Sequence, residues 1–341
     1  FWIENKEEAR GDELTNDCEL GALVSLPGWN RDLECLIGGK EYCITYDFWE
    51  ALDMCDILWL CEHPAKLPNG LLHQYVSAAI AQKKKVWVGM QLEKEDMNLL
   101  KELDSTGELL IFPPEPPMDW YYMYQKLSTP VIAVGGFSQG TRKFAMEIAI
   151  TKGFAAQGFK PLLVASRPDA AFWGHEALPS YFFDDSIPDN KKIMALNYYF
   201  SKLEHLKRPD VFIVGVPGAL LPNDLDYFYD FATLSFQISQ AVELDDIIMS
   251  YPCLGVAETF FSEMELRSES LLGAPICFHN IIGKVFDASN SRELEHLNYT
   301  CMDDAYIQAE LQKYSAPNIS SDCLEKDYAV RICRDLIERH A

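Results

Sequence analysis

The sequence predicts an α/β fold with parallel sheets in two domains, residues 1–117 and 118–341. Three observations predict it. Short apolar runs alternate with amphipathic stretches along most of the 341 residues, as parallel strands covered by helices do. A chain of this length commonly divides into two cores. Between the halves, Pro113-Pro114-Glu115-Pro116-Pro117 makes a stiff connector that neither a helix nor a central strand accommodates.

The elements follow in order. Gly21–Pro27 reads as a strand, Asp47–Cys55 as a short helix and Ile57–Cys61 as the next strand. Leu71–Gln82 is a helix, Lys85–Met90 a strand, Glu93–Leu103 a helix and Glu108–Phe112 a closing strand. Lys83-Lys84-Lys85 is a solvated helix end that complements the helix dipole. Pro27-Gly28-Trp29 and Gly38-Gly39 are turns and form no dinucleotide fingerprint. The chain opens on Phe1 with a polar segment, and a further strand is expected upstream of it. Past the connector, Met118–Thr129 reads as a helix, with Tyr121, Tyr122 and Tyr124 packing between domains. Val131–Val134 is a strand, Arg142–Gln157 a helix and Pro161–Ala165 a strand. Lys191–Leu206 is an amphipathic helix, and Asp210–Val216, Ile247–Ser250 and Pro275–Ile281 are strands. Asp303–Lys313 and Glu325–Arg339 close the chain as helices.

Composition narrows the function classes. The net charge of −23, from 29 basic and 52 acidic residues, disfavours nonspecific nucleic-acid binding. No apolar run reaches the ~18 residues of a membrane span. Ten cysteines occur without a CxxC pair and read as reduced, buried small hydrophobes of a cytoplasmic protein. The expectation is a chain that engages neither nucleic acid nor membrane. Cys61 with His63, and Cys277 with Cys301 and His279, read as structural rather than as metal or nucleophile sites.

The most chemically informative stretch is VIAVGGFSQGTRKF, residues 131–144. A strand, a glycine loop and a helix in succession offer backbone N–H groups and a positive helix end to an anion. Gly135, Gly136 and Gly140 let the chain wrap closely, and Lys143 or Arg142 supplies a cation. Ser138, Gln139 and Thr141 add polar contacts. The phosphate-loop pattern G-x-x-x-x-G-K-[ST] is met in its glycines only. Lys143 comes two places late and Phe144 follows it, leaving Ser138 and Thr141 as substitutes for the metal-binding hydroxyl. The strand within Arg208–Leu221 ends in Gly215-Val216-Pro217-Gly218 without a carboxylate, so Asp169, Asp184 and Asp185 are the acidic candidates. These features describe a degenerate P-loop, in which binding is expected and turnover is left open.

The blocks VGGFSQGTRKF, LLVASRPDAAFWGHEALPSYFFDD (Leu162–Asp185) and RPDVFIVGVPGALLP (Arg208–Pro222) resemble the clostridial peptide-maturation system proteins of natural-product clusters. The resemblance implies a Rossmann-like N-terminal domain and a degenerate P-loop NTPase-like domain similar to the MinD and dethiobiotin-synthetase class. It implies a nucleotide, ATP or GTP, with Mg²⁺, and a role in maturing a ribosomally made peptide. The partner would be a precursor peptide or a peptide-modifying enzyme. The catalytic role stays open between NTPase, kinase-like transferase and nucleotide switch. A non-enzymatic peptide- or partner-binding module with a vestigial loop is the alternative, and a dinucleotide-dependent oxidoreductase is weaker. His175, with Glu176, sits in an aromatic loop after a strand. It is the best candidate outside the glycine loop for a general base or a ligand sensor, the alternative being a packed, hydrogen-bonded histidine.

Overall fold

The computed structural model describes residues 21–25, 34–37, 40–61, 69–90, 92, 94–120, 123–225, 228–294, 297–322, 324 and 327–340. Two compact units emerge: Phe1–Pro114 with Arg167–Ala177, and Glu115–Ser166 with Leu178–Ala341. Pro27, Gly28, Trp29, Gly38, Gly39, His63, Tyr121 and Tyr122 lie outside the described residues.

The first unit contains β1 (Leu23–Val24), β2 (Glu34–Ile37), β3 (Lys40–Thr45), α1 (Phe48–Asp53), β4 (Ile57–Leu60), α2 (Asn69–Ala81), β5 (Lys85–Val88), α3 (Lys94–Leu103) and β6 (Leu110–Ile111). Helix α1 starts where the Asp47 carboxylate accepts the amides of Trp49 and Glu50, a side-chain cap for otherwise orphaned N–H groups. Strands β4, β5 and β6 pair in parallel. Leu58, Leu60, Val86 and Val88 meet Leu72 and Val76 of α2 in one core. Strand β1 runs parallel to β3, but β2 and β3 form an antiparallel hairpin that the sequence reading did not include.

The second unit begins within the connector, at Glu115. Its elements are β7 (Val131–Gly136), α4 (Lys143–Ala156), β8 (Pro161–Ala165), α5 (Asp189–Lys207), β10 (Val211–Gly215), the hairpin β11 (Asn223–Leu225) and β12 (Phe228–Asp230), α6 (Thr233–Ala241), β13 (Asp246–Tyr251) and α7 (Thr259–Leu272). Then come β14 (Ile276–Ile281), β15 (Lys284–Phe286), α8 (Ala288–Leu294), β16 (Tyr299–Cys301), α9 (Asp304–Leu311), β17 (Ile319–Ser320) and α10 (Tyr328–His340). The short strand β9 (Glu176–Ala177) falls in the segment counted with the first unit. Within the second unit the main sheet runs β17–β14–β13–β7–β10–β8, with every pair parallel. The chain leaves β7 toward β8 and β10, then crosses to β13 on the other side of β7. The order thus reverses around β7, and ligands of open parallel sheets sit beyond the carboxyl ends of strands at such a reversal.

Strand β7 is buried along its whole length, as a central parallel strand should be. Helix α4 buries residues around most of its circumference, because it has the sheet on one side and α10 on another. At that second contact Gly153 lets α10 approach: an added Cβ would lie 2.7 Å from Cys333 Sγ. The expected helix over Met118–Thr129 does not form; among the described residues this stretch is irregular. Its backbone finds partners on α5 instead. Asn197 bonds both the amide and the carbonyl of Gln125, and the Glu204 carboxylate accepts Ser128 N and Thr129 N at 2.8 Å each. Satisfied this way, the segment has no need of its own helical ladder.

Candidate functional site

The carboxyl end of β7 turns directly into α4 through residues 137–142. Each glycine of the loop has its own cause. At Gly135 an added Cβ would stand 2.8 Å from Leu220 Cδ1, so packing of the β10 loop demands it. At Gly136 the obstacles are Thr141 Oγ1 at 2.0 Å and Lys143 Cδ at 2.9 Å. Gly140 adopts φ +76, and the Tyr299 ring lies over it, 2.9 Å from where a Cβ would be. That conformation costs glycine little and most other residues more.

Four successive carbonyls of the loop, Phe137 to Gly140, are held by side chains. Asn223 Nδ2 donates to Phe137 O. Thr141 Oγ1 donates to Ser138 O at 2.9 Å. Tyr299 OH donates to Gln139 O at 2.9 Å. Lys284 Nζ donates to Gly140 O at 3.2 Å. A tyrosine hydroxyl has one proton, so the 2.5 Å contact between Ser138 Oγ and Tyr299 OH is one in which Ser138 donates. The amides behave oppositely. Phe137 N donates to Ser250 O at 2.8 Å, but the N–H groups of Ser138, Gln139 and Gly140 donate to no protein acceptor among the described residues.

The cations stand at the start of α4. Arg142 has φ +58 and pairs with Asp322 at 3.4 Å. Lys143 is the first helical residue, and its Nζ donates to Gly218 O in the loop after β10. That second loop is braced by Asp230, which accepts Ala219 N at 2.9 Å. Free amides, a helix end and a lysine converge where an anion is favoured.

No protein-family model matches the sequence. No curated protein matches it either. The fold is similar to that of a DUF1611 family protein from Anabaena variabilis. The two superpose with a TM-score of 0.56 at 10% identity, over 86% of this chain and 84% of that chain, which shows the fold alone. Cobyrinic acid a,c-diamide synthase from Mycobacterium smegmatis, solved with ADP and magnesium and with an ATP analogue and magnesium, gives a TM-score of 0.36 at 16% and 17% identity. It spans 62% of this chain and 95% of that chain, and an overlap so loose does not speak for this chain's chemistry.

The structure thus places Ser138, Gln139, Gly140 and Thr141 in one loop, between Gly135 and Gly136 at the end of β7 and Lys143 at the start of α4. The Gln139 side chain is exposed, whereas Thr141 is fully buried and its hydroxyl holds the loop rather than facing outward. His175 belongs to Arg167–Ala177, the segment counted with the first unit, where its amide donates to Ala170 O. In that segment Asp169 is ion-paired with Arg167 at 2.7 Å. Asp184 accepts Ser186 N and Oγ within its own turn. The segment also fills the carboxyl end of β5. Phe172 stacks on Trp87 at 5.0 Å, and an added Cβ on Gly89 would meet Asp169 Cβ at 2.5 Å.

The structure adds a carboxylate the sequence did not signal. Glu147, one turn into α4, is wholly buried. It accepts Ser166 Oγ at 2.6 Å and Ser166 N at 3.1 Å. Its carboxylate occupies the space beside Gly215, 2.4 Å from a Cβ built there. Tyr299, Lys284 and Asn223 were also missed, because they come from hairpins 86 to 161 residues along the chain from their loop partners. Cys277 and His279 have structural duties. Burial pushes the Cys277 thiol up, and a protonated thiol is a poor nucleophile. His279 lies between Tyr251 OH and Glu265 at 3.0 and 2.9 Å, and burial pulls its pKa down. Among the described residues no group of His, Cys, Asp and Glu is arranged to hold a metal, and no helix is long and apolar enough to cross a membrane.

Proposed function

We propose that the β7–α4 loop binds the phosphates of a nucleotide, ATP or GTP, and that this binding serves the maturation of a ribosomally made peptide. One observation carries the phosphate reading: Ser138, Gln139 and Gly140 present amides without protein partners among the described residues at the start of the 14-residue helix α4. Three oriented N–H groups, a helix end and Lys143 suit an anion of concentrated charge. The residues fit phosphate better than they fit a protein-held Mg²⁺. Thr141 Oγ1 is buried and engaged, and β10 ends without an acid, so Mg²⁺ would arrive with the phosphates. The peptide reading rests on the resemblance of the three sequence blocks to peptide-maturation proteins. A precursor peptide or peptide-modifying enzyme would be the partner, in a reducing cytoplasm that suits the buried thiols of Cys253, Cys277 and Cys333, none of them in a disulfide.

A second reading is a peptide- or partner-binding module with a vestigial loop. It is favoured by the engagement of Lys143 with Gly218 O and of Arg142 with Asp322, which leaves both cations internally committed. Calorimetry with ATP, GTP and ADP separates the two. Nucleotide binding that weakens about 10- to 100-fold in Lys143→Ala, as loss of a charged hydrogen bond predicts, supports the first. Negligible affinity in both proteins supports the second. Release of phosphate in the presence of Mg²⁺ separates an enzyme from a switch.

A further inference from the structure

A trans peptide is planar, so its carbonyl and the N–H of the next residue point in opposite directions. A side chain that holds one carbonyl therefore aims the following amide the other way. Along the loop, Asn223 holds Phe137 O, Thr141 holds Ser138 O, Tyr299 holds Gln139 O and Lys284 holds Gly140 O. The first three bonds aim the amides of Ser138, Gln139 and Gly140, the same amides that lack protein partners among the described residues.

Two of the four holders come from one antiparallel hairpin, whose strands are joined through α8. Lys284 opens β15 and Tyr299 opens β16, and the strands pair antiparallel. Lys284 is buried, and its Nζ lies 5.9 Å from the Tyr299 ring centroid. The ring covers Gly140, which has no Cβ to push it away. We infer that the β15–β16 hairpin is a clamp on the phosphate loop. Tyr299 and Lys284 act as positioning residues that fix the amides of Gly140 and Thr141 before a ligand arrives. The inference rests on the reading of this loop as a phosphate site. A donor already aimed need not be ordered on binding. An ammonium on the Gly140 carbonyl also polarises the peptide and strengthens the Thr141 N–H as a donor.

The test uses the whole chain and inorganic pyrophosphate. Tyr299→Phe keeps the ring over Gly140 and removes only the hydroxyl. Lys284→Met removes the charge, and Lys284→Arg restores it. Pyrophosphate affinity should fall about five- to twentyfold in Tyr299→Phe and Lys284→Met and recover most of that loss in Lys284→Arg. In the ligand-free protein, labelled with ¹⁵N at Gly and Thr, the Gly140 amide resonance should move in Tyr299→Phe. The Thr141 resonance should move in Lys284→Met, while those of Gly158 and Gly273 stay. Wild-type affinity with unmoved loop resonances in both variants overturns the clamp. Failure of the unaltered protein to bind pyrophosphate overturns the phosphate reading instead. In that case the resonances alone decide the clamp, and it falls if they stay in place.

Discussion

Gly136→Ala places one methyl group where the loop has no room for it. The new Cβ would stand 2.0 Å from Thr141 Oγ1 and 2.9 and 3.0 Å from Lys143 Cδ and Cγ. Thr141 is fully buried and its hydroxyl is already bonded to Ser138 O, so the hydroxyl must leave that carbonyl. A hydrogen bond of this kind contributes about 1 kcal/mol. Overpacking a filled site costs a further ~1–3 kcal/mol. Together the change should destabilise the second unit by about 2–4 kcal/mol, or about 5–15 °C in Tm for a unit of this size. The cause can be isolated with Thr141→Ala, which removes the obstacle. In a double-mutant cycle followed by urea unfolding, Gly136→Ala/Thr141→Ala should be at least ~1 kcal/mol more stable than the sum of the single changes predicts. An additive cycle would refute the reasoning, since it would mean that Thr141 is not what excludes a side chain at position 136.

The remaining predictions concern Asp104 and Glu147, both buried. Asp104 accepts Thr106 Oγ1 at 2.7 Å and the amides of Leu109 and Leu110 at 2.7 and 2.9 Å. The Thr106 hydroxyl, with those amides and against the effect of burial, holds its pKa down to about 2 from 3.8. A depressed carboxylate contributes stability above its unfolded pKa and loses it as pH falls toward the folded value. Asp104→Asn should therefore be less stable than the unaltered protein above about pH 4, with the difference closing toward pH 2; urea unfolding at pH 6 and pH 2.5 checks it. Glu147→Gln retains the shape beside Gly215 but turns an acceptor of two bonds into a mixed donor and acceptor. It should cost about 1–3 kcal/mol in thermal unfolding and leave pyrophosphate affinity unchanged, and an unaltered Tm would contradict the buried geometry.

What was legible in the sequence was what local chemistry dictates. Pro161–Ala165 stands as read, because a buried apolar run beginning at a proline has few other options. The helix after the glycine loop is found within a residue of its expected ends, as Lys143–Ala156. Helices α6 and α7 were not read from the sequence. α6 follows Ala232, at φ +55, a residue that gives no capping signal, and α7 carries charge on an irregular apolar pattern. The helix expected over Met118–Thr129 lost to Asn197 and Glu204, partners that lie more than 70 residues along the chain. The same limit governs the site. Its glycines and lysine are contiguous and were visible, whereas Tyr299, Lys284 and Asn223 act on loop carbonyls from distant hairpins, and nothing local to them marks that role.

The assignment of duties within the loop bears on whether it could turn a nucleotide over. Metal-assisted phosphoryl transfer needs an ion held by protein oxygens as well as by phosphate. Thr141 spends its hydroxyl on Ser138 O inside the protein, and Ser138 gives its proton to Tyr299. Strand β10 ends at Gly215, and the carboxylate beside it, Glu147, is engaged by Ser166 and has no exposed surface. An acid so placed shapes the sheet end and has no lone pair turned outward for a metal. The amides of Ser138, Gln139 and Gly140, in contrast, are aimed before any ligand arrives. A cradle that binds ground state and transition state equally well gains affinity without gaining rate. The geometry therefore suits occupancy better than turnover. The group best placed to report occupancy is Lys143, whose ammonium would exchange the Gly218 carbonyl for a phosphate oxygen and so release the loop that Asp230 braces.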